Sequence, residues 1–127
     1  MDIRISNADP RPIYEQVCQQ IKQAILSGAL QEGELLPSIR ALAKDLRISV
    51  ITTRRAYEEL ERDGYVHTVA GKGCYVAPKD TSAVREDCLR HIEGQMEEML
   101  RLARTCGISA RELTDMLQAL DGEEENL

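Results

Sequence analysis

The 127-residue sequence predicts a mostly helical α+β chain in two parts: three helices closed by a β-hairpin within residues 1–78, then two further helices within 79–127. Three observations predict it. Apolar residues recur every three or four positions in five separate segments, the period of a helix with one buried face. One stretch, YVHTVAGKGCYVAP, alternates with period two around a glycine pair. Charge divides the same way. Residues 1–78 hold ten Lys/Arg and ten Asp/Glu, whereas 79–127 hold six and twelve, so the whole formal charge of −6 lies behind the polar break PKDTSA.

The first helix is expected over residues 12–28. Pro12 suits the first helical position, where its missing N–H costs nothing. Ile13, Val17, Ile21 and Ile25 recur every fourth residue, Tyr14 and Ala24 widen the stripe, and Gly28 is placed to end it. ALQEGELLP then reads as an irregular connector around Gly33. Ser38 can cap a short second helix with Ile39, Leu42, Ala43 and Leu46 on one face. Ser49 can cap a third, from Val50 to Asp63, stopped by Gly64. Thr53, Ala56, Tyr57 and Leu60 share its inner face, and Ile51, Arg54, Arg55 and Glu58 share the outer one. Two helices joined by about three residues, the second with a cationic outer face, read as a helix-turn-helix. The hairpin from Tyr65 to Ala77, with Lys72 at its tip, is then a wing.

Behind the break, Val84, Cys88, Ile92, Met96, Met99, Leu100 and Ala103 mark a long amphipathic helix over Ser82–Thr105, ended by Gly107. Ser109 and Glu112 form a capping box, with Ile108 placed to staple onto Leu113. Leu113, Met116, Leu117 and Leu120 continue the stripe on a last helix, and the tail DGEEENL is expected to be frayed and solvated.

Composition narrows the function classes. There is no N-terminal apolar run long enough for a signal peptide or membrane span, so a soluble, cytoplasmic chain is expected, with no membrane partner. Cys18, Cys74, Cys88 and Cys106 are widely spaced without a CxxC, which argues against zinc and disulfides and for reduced, buried thiols. His67 and His91, far apart in sequence, have no partner at ligand spacing, so no metal and no cofactor are expected. Ser49, Thr52 and Thr53 belong to no His–Asp arrangement, so catalysis is not expected.

Between Ser38 and Tyr57, five cations (Arg40, Lys44, Arg47, Arg54, Arg55) face one acid, Asp45. A local basic patch on a neutral domain is a footprint for nucleic acid. A helix N-terminus that carries hydroxyls and then arginines suits phosphates. The bland alternative pairs Arg54 with Glu58 and Arg55 with Glu59 along the helix surface.

The stretch LLPSIRALAKDLRISVITTRRAYEELERDGYVHTVAGKGCYV resembles the N-terminal domain of the GntR transcription regulators. The matching residues are Leu36, Pro37, Ser38, Arg40, Leu42, Ala43, Ile48, Ser49, Thr52, Ala56, Leu60, Gly64, Gly71 and Gly73, and the short helical remainder looks like the YtrA subfamily. The resemblance implies a repressor that binds a palindromic operator in double-stranded DNA as a homodimer, with neighbouring transporter genes as targets. It places Arg40, Ser49, Thr52, Arg54 and the wing around Gly71 on the DNA. Ser38, Ile51, Arg55 and Lys72 complete the expected DNA-binding set. Many members carry Arg directly after the turn serine; here Val50 and Ile51 follow, so Arg54 or Arg55 takes over base reading, or Ile51 packs on a thymine methyl. Val84, Cys88, Ile92, Met96, Met99, Leu113 and Leu117 are the expected dimer surface, since two helices alone cannot bury that stripe. An unidentified small-molecule effector would have to bind between domains or between protomers. Two other readings stand beside it: a winged helix used only for protein interaction, and a truncated fusion to a pyridoxal-phosphate enzyme domain, which needs hundreds more residues and a Schiff-base lysine.

Overall fold

A computed structural model describes residues 1–125. Its elements are α1 (Ile13–Ser27), α2 (Ile39–Leu46), α3 (Val50–Arg62), β1 (Val66–Val69), β2 (Gly73–Val76), α4 (Ser82–Cys106) and α5 (Ala110–Glu125). The contacts divide the chain after Asp87. The first unit is a winged helix-turn-helix plus the first turns of α4; the second begins at Cys88. Residues 79–87, placed by the sequence with the second part, therefore pack with the first.

The first unit forms around two helical faces. From α1, Val17, Cys18, Ile21 and Ile25 are at most 1% exposed. They meet Thr53, Ala56, Tyr57 and Leu60 of α3, the inner face expected from the sequence. Each fully buried branched side chain here contributes roughly 1.5–3 kcal/mol. Pro12 stands one residue earlier than expected, at the N-cap of α1, where its carbonyl accepts from the Glu15 and Gln16 amides. Gly28 ends the helix at φ +86, a conformation glycine adopts without Cβ strain. Ser38 caps α2 by accepting from the Ala41 amide at 3.1 Å, and Ser49 caps α3 by accepting from the Thr52 amide at 3.0 Å. The turn between them runs through Arg47, the one non-glycine residue at positive φ (+55) among the described residues.

The segment after Gly28 is an irregular connector, as expected, but part of it hydrogen-bonds to β2. The Gly33 amide donates to the Val76 carbonyl at 2.8 Å, Val76 returns a bond to the Glu34 carbonyl at 2.9 Å, and Leu36 donates to Cys74 at 2.9 Å. Residues 33–36 thus pair with β2 on the edge opposite β1. In the hairpin Val66 faces Val76 and Val69 faces Gly73, leaving Ala70, Gly71 and Lys72 as the tip. The N-terminal segment is tied down by two amide side chains of α1. Gln16 brackets Ser6, accepting from its amide and donating to its carbonyl, and Gln20 does the same for Arg4.

In the second unit the capping box forms as expected: Glu112 accepts from the Ser109 amide and Ser109 accepts from the Glu112 amide, at 3.3 and 3.2 Å. The tail departs from expectation, because α5 continues through Glu125. Glutamates are good helix formers, and Gly122 is not at positive φ, so nothing there ends the helix. Asn126 and Leu127 of the expected frayed tail lie outside the described residues. None of the four cysteines is in a disulfide, but only Cys18 is buried; Cys74 and Cys88 are half-buried and Cys106 is exposed. Their positions on helix and strand surfaces, not their residue type, decide this. No helix among the described residues is long and apolar enough to cross a membrane.

Candidate nucleic-acid interface

The N-terminal end of α2, the outer face of α3 and the wing enclose an open groove of about 500 Å³. Ser38, Arg40, Arg54 and Lys72 line it, together with the carboxylates Glu58 and Glu61. Four sequence-predicted DNA residues, from three elements, are therefore brought to one concave surface. Two cross-links hold its walls. Tyr57 donates its hydroxyl to the Pro37 carbonyl at 2.7 Å, tying the start of α2 to α3. Thr68 donates to Glu61 at 3.1 Å, tying the wing to the same helix. Burial pushes the Tyr57 hydroxyl pKa above its ordinary value.

Gly73, at φ +125, also serves the approach of the wing, because a Cβ there would lie 2.9 Å from Leu35 Cδ1. Gly71, at φ +75, lets the tip turn with Lys72 exposed, and the Lys72 amide closes the turn on the Val69 carbonyl at 2.9 Å.

The two adjacent arginines part company. Arg54 lines the groove, and among the described residues it makes no ion pair with Glu58. Arg55 lies over the Tyr14 ring, its guanidinium carbon 3.8 Å from the centroid, and donates to the Tyr14 hydroxyl at 3.0 Å. A guanidinium stacked on an aromatic face keeps most of its in-plane donors free. Arg55 is thus held on the α1 side, outside the groove, and the alternative ion pair with Glu59 is not formed.

The first turn of α3 is largely self-occupied. Ser49 donates to the Thr52 hydroxyl at 2.8 Å besides capping the helix, and Thr53 is buried and bonded to the Ser49 carbonyl. Ile51 projects from the same turn with 80% of its surface exposed. An isoleucine that open at a helix N-terminus has no role in this chain's own core.

Sequence reasoning missed three features of this unit. Tyr57 read only as an apolar face residue. The pairing of residues 33–36 had no local periodicity to betray it. Lys22 was passed over, although the spacing Cys18–Lys22–Ile25 places it on the buried face of α1. Among the described residues no group of three or more His, Cys, Asp or Glu side chains is arranged to hold a metal ion.

These features define a winged helix-turn-helix whose groove between α3 and the wing is lined by three cations and two carboxylates, an architecture of regulatory proteins. Residues 13–76 match the family described as "Bacterial regulatory proteins, gntR family", and the chain belongs to that family. It is 32% identical over 118 residues to the HTH-type transcriptional repressor YtrA of Bacillus subtilis (strain 168), covering 91% of each chain. Its fold is similar to that of a transcriptional antiterminator from Listeria monocytogenes EGD-e, with TM-score 0.75, 30% identity, and 95% and 90% of the two chains covered. It is also similar to the DNA-binding domain of AraR solved in complex with operator ORE1, with TM-score 0.52, 26% identity, and 61% and 94% covered.

Proposed function

We propose that this chain is a DNA-binding transcriptional repressor that reads a two-fold palindromic operator as a homodimer. The observation that carries the reading is the groove. Arg40, Arg54 and Lys72 converge from α2, α3 and the wing onto one concave wall, inside the segment that matches the family. Three cations with long stems, set around a helix N-terminal region, suit a phosphate backbone rather than a small apolar ligand. The kinship with a repressor and with an operator-bound domain supports the same reading.

Within it the residues take different roles. Arg54, free in the groove, is the base reader, and Ile51 packs on a thymine methyl in the major groove. Arg40 and Lys72 hold phosphates. Ser38, Ser49 and Thr52 present the capped ends of α2 and α3 to the backbone, and Gly71 lets the tip approach closely. Arg55, held by Tyr14, adds a phosphate contact on the α1 side.

The homodimer forms through the second unit. Leu89, Ile92, Met96, Met99 and Leu102 on α4 are 47–64% exposed, as are Met116, Leu117 and Leu120 on α5 at 54–62%. Exposed apolar surface of that extent marks an interaction site. Cys88 and Leu113 are half-buried at its margins. Val84 is not offered to a partner, because it is 1% exposed within the first unit. By resemblance to the YtrA branch, the controlled genes are proposed to encode a transporter.

The test is a salt titration on DNA selected from a random pool by the purified protein. A dimer that neutralises about six to ten phosphates should lose roughly a thousandfold or more in affinity between 50 and 200 mM salt. A selected pool without palindromic sequence would remove the dimeric operator reading. A flat salt profile would remove the DNA reading and leave a protein-interaction module.

A further inference from the structure

The acids at the C-terminal half of α3 are not equivalent. Glu59 faces Arg62 at 3.8 Å, Glu61 accepts from the Thr68 hydroxyl at 3.1 Å, and Asp63 accepts from Lys22 at 2.8 Å. Glu58 alone has neither a hydrogen bond nor an ion pair among the described residues. It is exposed, and it lines the same groove as Arg40, Arg54 and Lys72. Arg54 stands one helical turn before it and does not capture it. An acid that follows its cation at i+4 is the weaker of the two orders along a helix.

On a surface that binds phosphates, an uncommitted carboxylate weakens attraction to every sequence. Its position offers a compensating use. Ile51, Arg54 and Glu58 lie on one face of α3, the face that carries the 80%-exposed isoleucine. Glu58 is about 6 Å along the helix axis from Arg54. That is roughly two base-pair steps of about 3.4 Å, so the two side chains face different base pairs.

An ionised carboxylate is acceptor-only. In the major groove cytosine presents its N4 amino donor, whereas guanine presents O6 and N7 and thymine presents O4, all acceptors that repel it. Adenine sets the N7 acceptor beside its N6 amino group, which opposes the second carboxylate oxygen. Cytosine is therefore the base that Glu58 suits best. A charge that penalises the wrong bases supplies discrimination even where it adds little affinity.

We propose that Glu58 is a specificity-determining residue of α3: its carboxylate accepts from the N4 amino group of a cytosine one or two base pairs from the pair that Arg54 reads, and it rejects guanine and thymine there. The inference rests on the DNA-binding reading above and adds one contact to it; it does not depend on how the protein dimerises.

The experiment selects DNA from a random pool with the full-length protein and with Glu58→Ala, Glu58→Gln, Arg54→Ala and Glu59→Gln. Affinities are then measured on the selected site, on its single-base variants and on random-sequence DNA. The unsubstituted protein should hold cytosine at a position that Arg54→Ala does not relax, and should prefer it to guanine or thymine by about tenfold or more. Glu58→Ala should reduce that preference below about twofold and bind random-sequence DNA more tightly, because a repulsive charge is gone. Glu58→Gln should move the preference to adenine, whose N6 and N7 an amide engages together. Glu59→Gln removes the same charge from a side chain outside the groove and should leave the base profile unchanged. A Glu58→Ala profile identical to that of the unsubstituted protein, with affinity equal or evenly raised, overturns the proposal and leaves a solvated carboxylate. Relaxation at the Arg54 base pair also overturns it, and makes Glu58 a residue that orients the arginine. Absence of DNA binding by the unsubstituted protein overturns the DNA-binding reading itself, a result distinct from either.

Discussion

The two units solve opposite problems with similar materials. In the first, α1 and α3 bury their apolar stripes on each other, and fifteen of the sixteen buried apolar residues of the described chain belong to it. In the second, Ala103 is the only buried one, while nine of the fourteen large exposed apolar residues lie there. Both units were built from helices with a clear apolar face. What differs is whether the chain supplies a covering layer for that face. A stripe without one stays exposed, so the comparison teaches where this molecule builds its core and which surface the proposed dimer would use.

The largest expected effect comes from separating the two. A chain ending after Arg90 keeps the first unit whole, including Val84 and Asp87. It should fold, run as a monomer in size-exclusion with light scattering, and bind the palindrome about 10²–10⁴ less tightly in a gel-shift. If it stays dimeric, the second unit is not the interface. Ile92→Asp, which places a charge in that apolar surface, should dissociate the dimer and leave thermal unfolding of the first unit unchanged.

Moving the cut sharpens the division. A chain ending at Lys79 loses Val84 and Asp87, one of the two carboxylates, with Asp63, that pair with Lys22. It should be less stable than the Arg90 version by about 2–3 kcal/mol in urea unfolding. Equal stabilities would show that the start of α4 contributes nothing to the first unit. Lys22 and these carboxylates give a pH signature. Burial pushes Lys22 down, but Asp63 and Asp87 more than offset it, so its pKa lies above the ordinary lysine value of 10.5. Burial also pushes the Cys18 thiol up, to about 12 from 9.0. A group whose pKa is raised by folding stabilises below its unfolded pKa and loses that contribution as pH climbs past it. The melting temperature should therefore hold level from neutral pH to about 9 and fall beyond, where first Cys18 and then Lys22 enter the balance. A decline beginning near neutrality would point to other groups.

Within the first unit, Arg54→Ala should cost about 1–3 kcal/mol of binding and relax preference at one base pair of each half-site. Arg55→Ala should weaken all sequences evenly, since Tyr14 holds it outside the groove. Base-specific loss from Arg55 rather than Arg54 would reverse the two roles. The smallest effect concerns the turn. Arg47 holds a left-handed conformation that costs a residue with a Cβ about 1 kcal/mol, so Arg47→Gly should raise stability by up to that amount in thermal or urea unfolding.

Much of the fold was legible because its signals are local. Ser38 and Ser49 announce helix starts through their own hydroxyls, and Gly28 and Gly64 announce stops through the φ they permit. The period of Val17, Ile21 and Ile25 declares a buried face within one element. The cationic outer face of α3 was legible for the same reason. Which of Arg54 and Arg55 enters the groove was not, because adjacent residues on a helix diverge by about a hundred degrees. Only the placement of Tyr14 on another helix decides which is captured.

The sequence by itself determined the elements, their order, their capping, the positive patch and the apolar stripe of the second unit, all properties of residues within a few positions of one another. Tertiary structure alone decided the rest. Residues 33–36 became a third strand-like partner of β2, because their free amides and carbonyls found an open sheet edge some forty positions away. Lys22 became the centre of a buried charge cluster, because Asp63 and Asp87 arrive from 41 and 65 residues down the chain. Val84 joined the first core and left the stripe it shares a period with, because Gly64 lets α4 come that close. Hydrogen bonds and ion pairs between distant residues leave no period in a sequence, and their geometry exists only once the chain has folded.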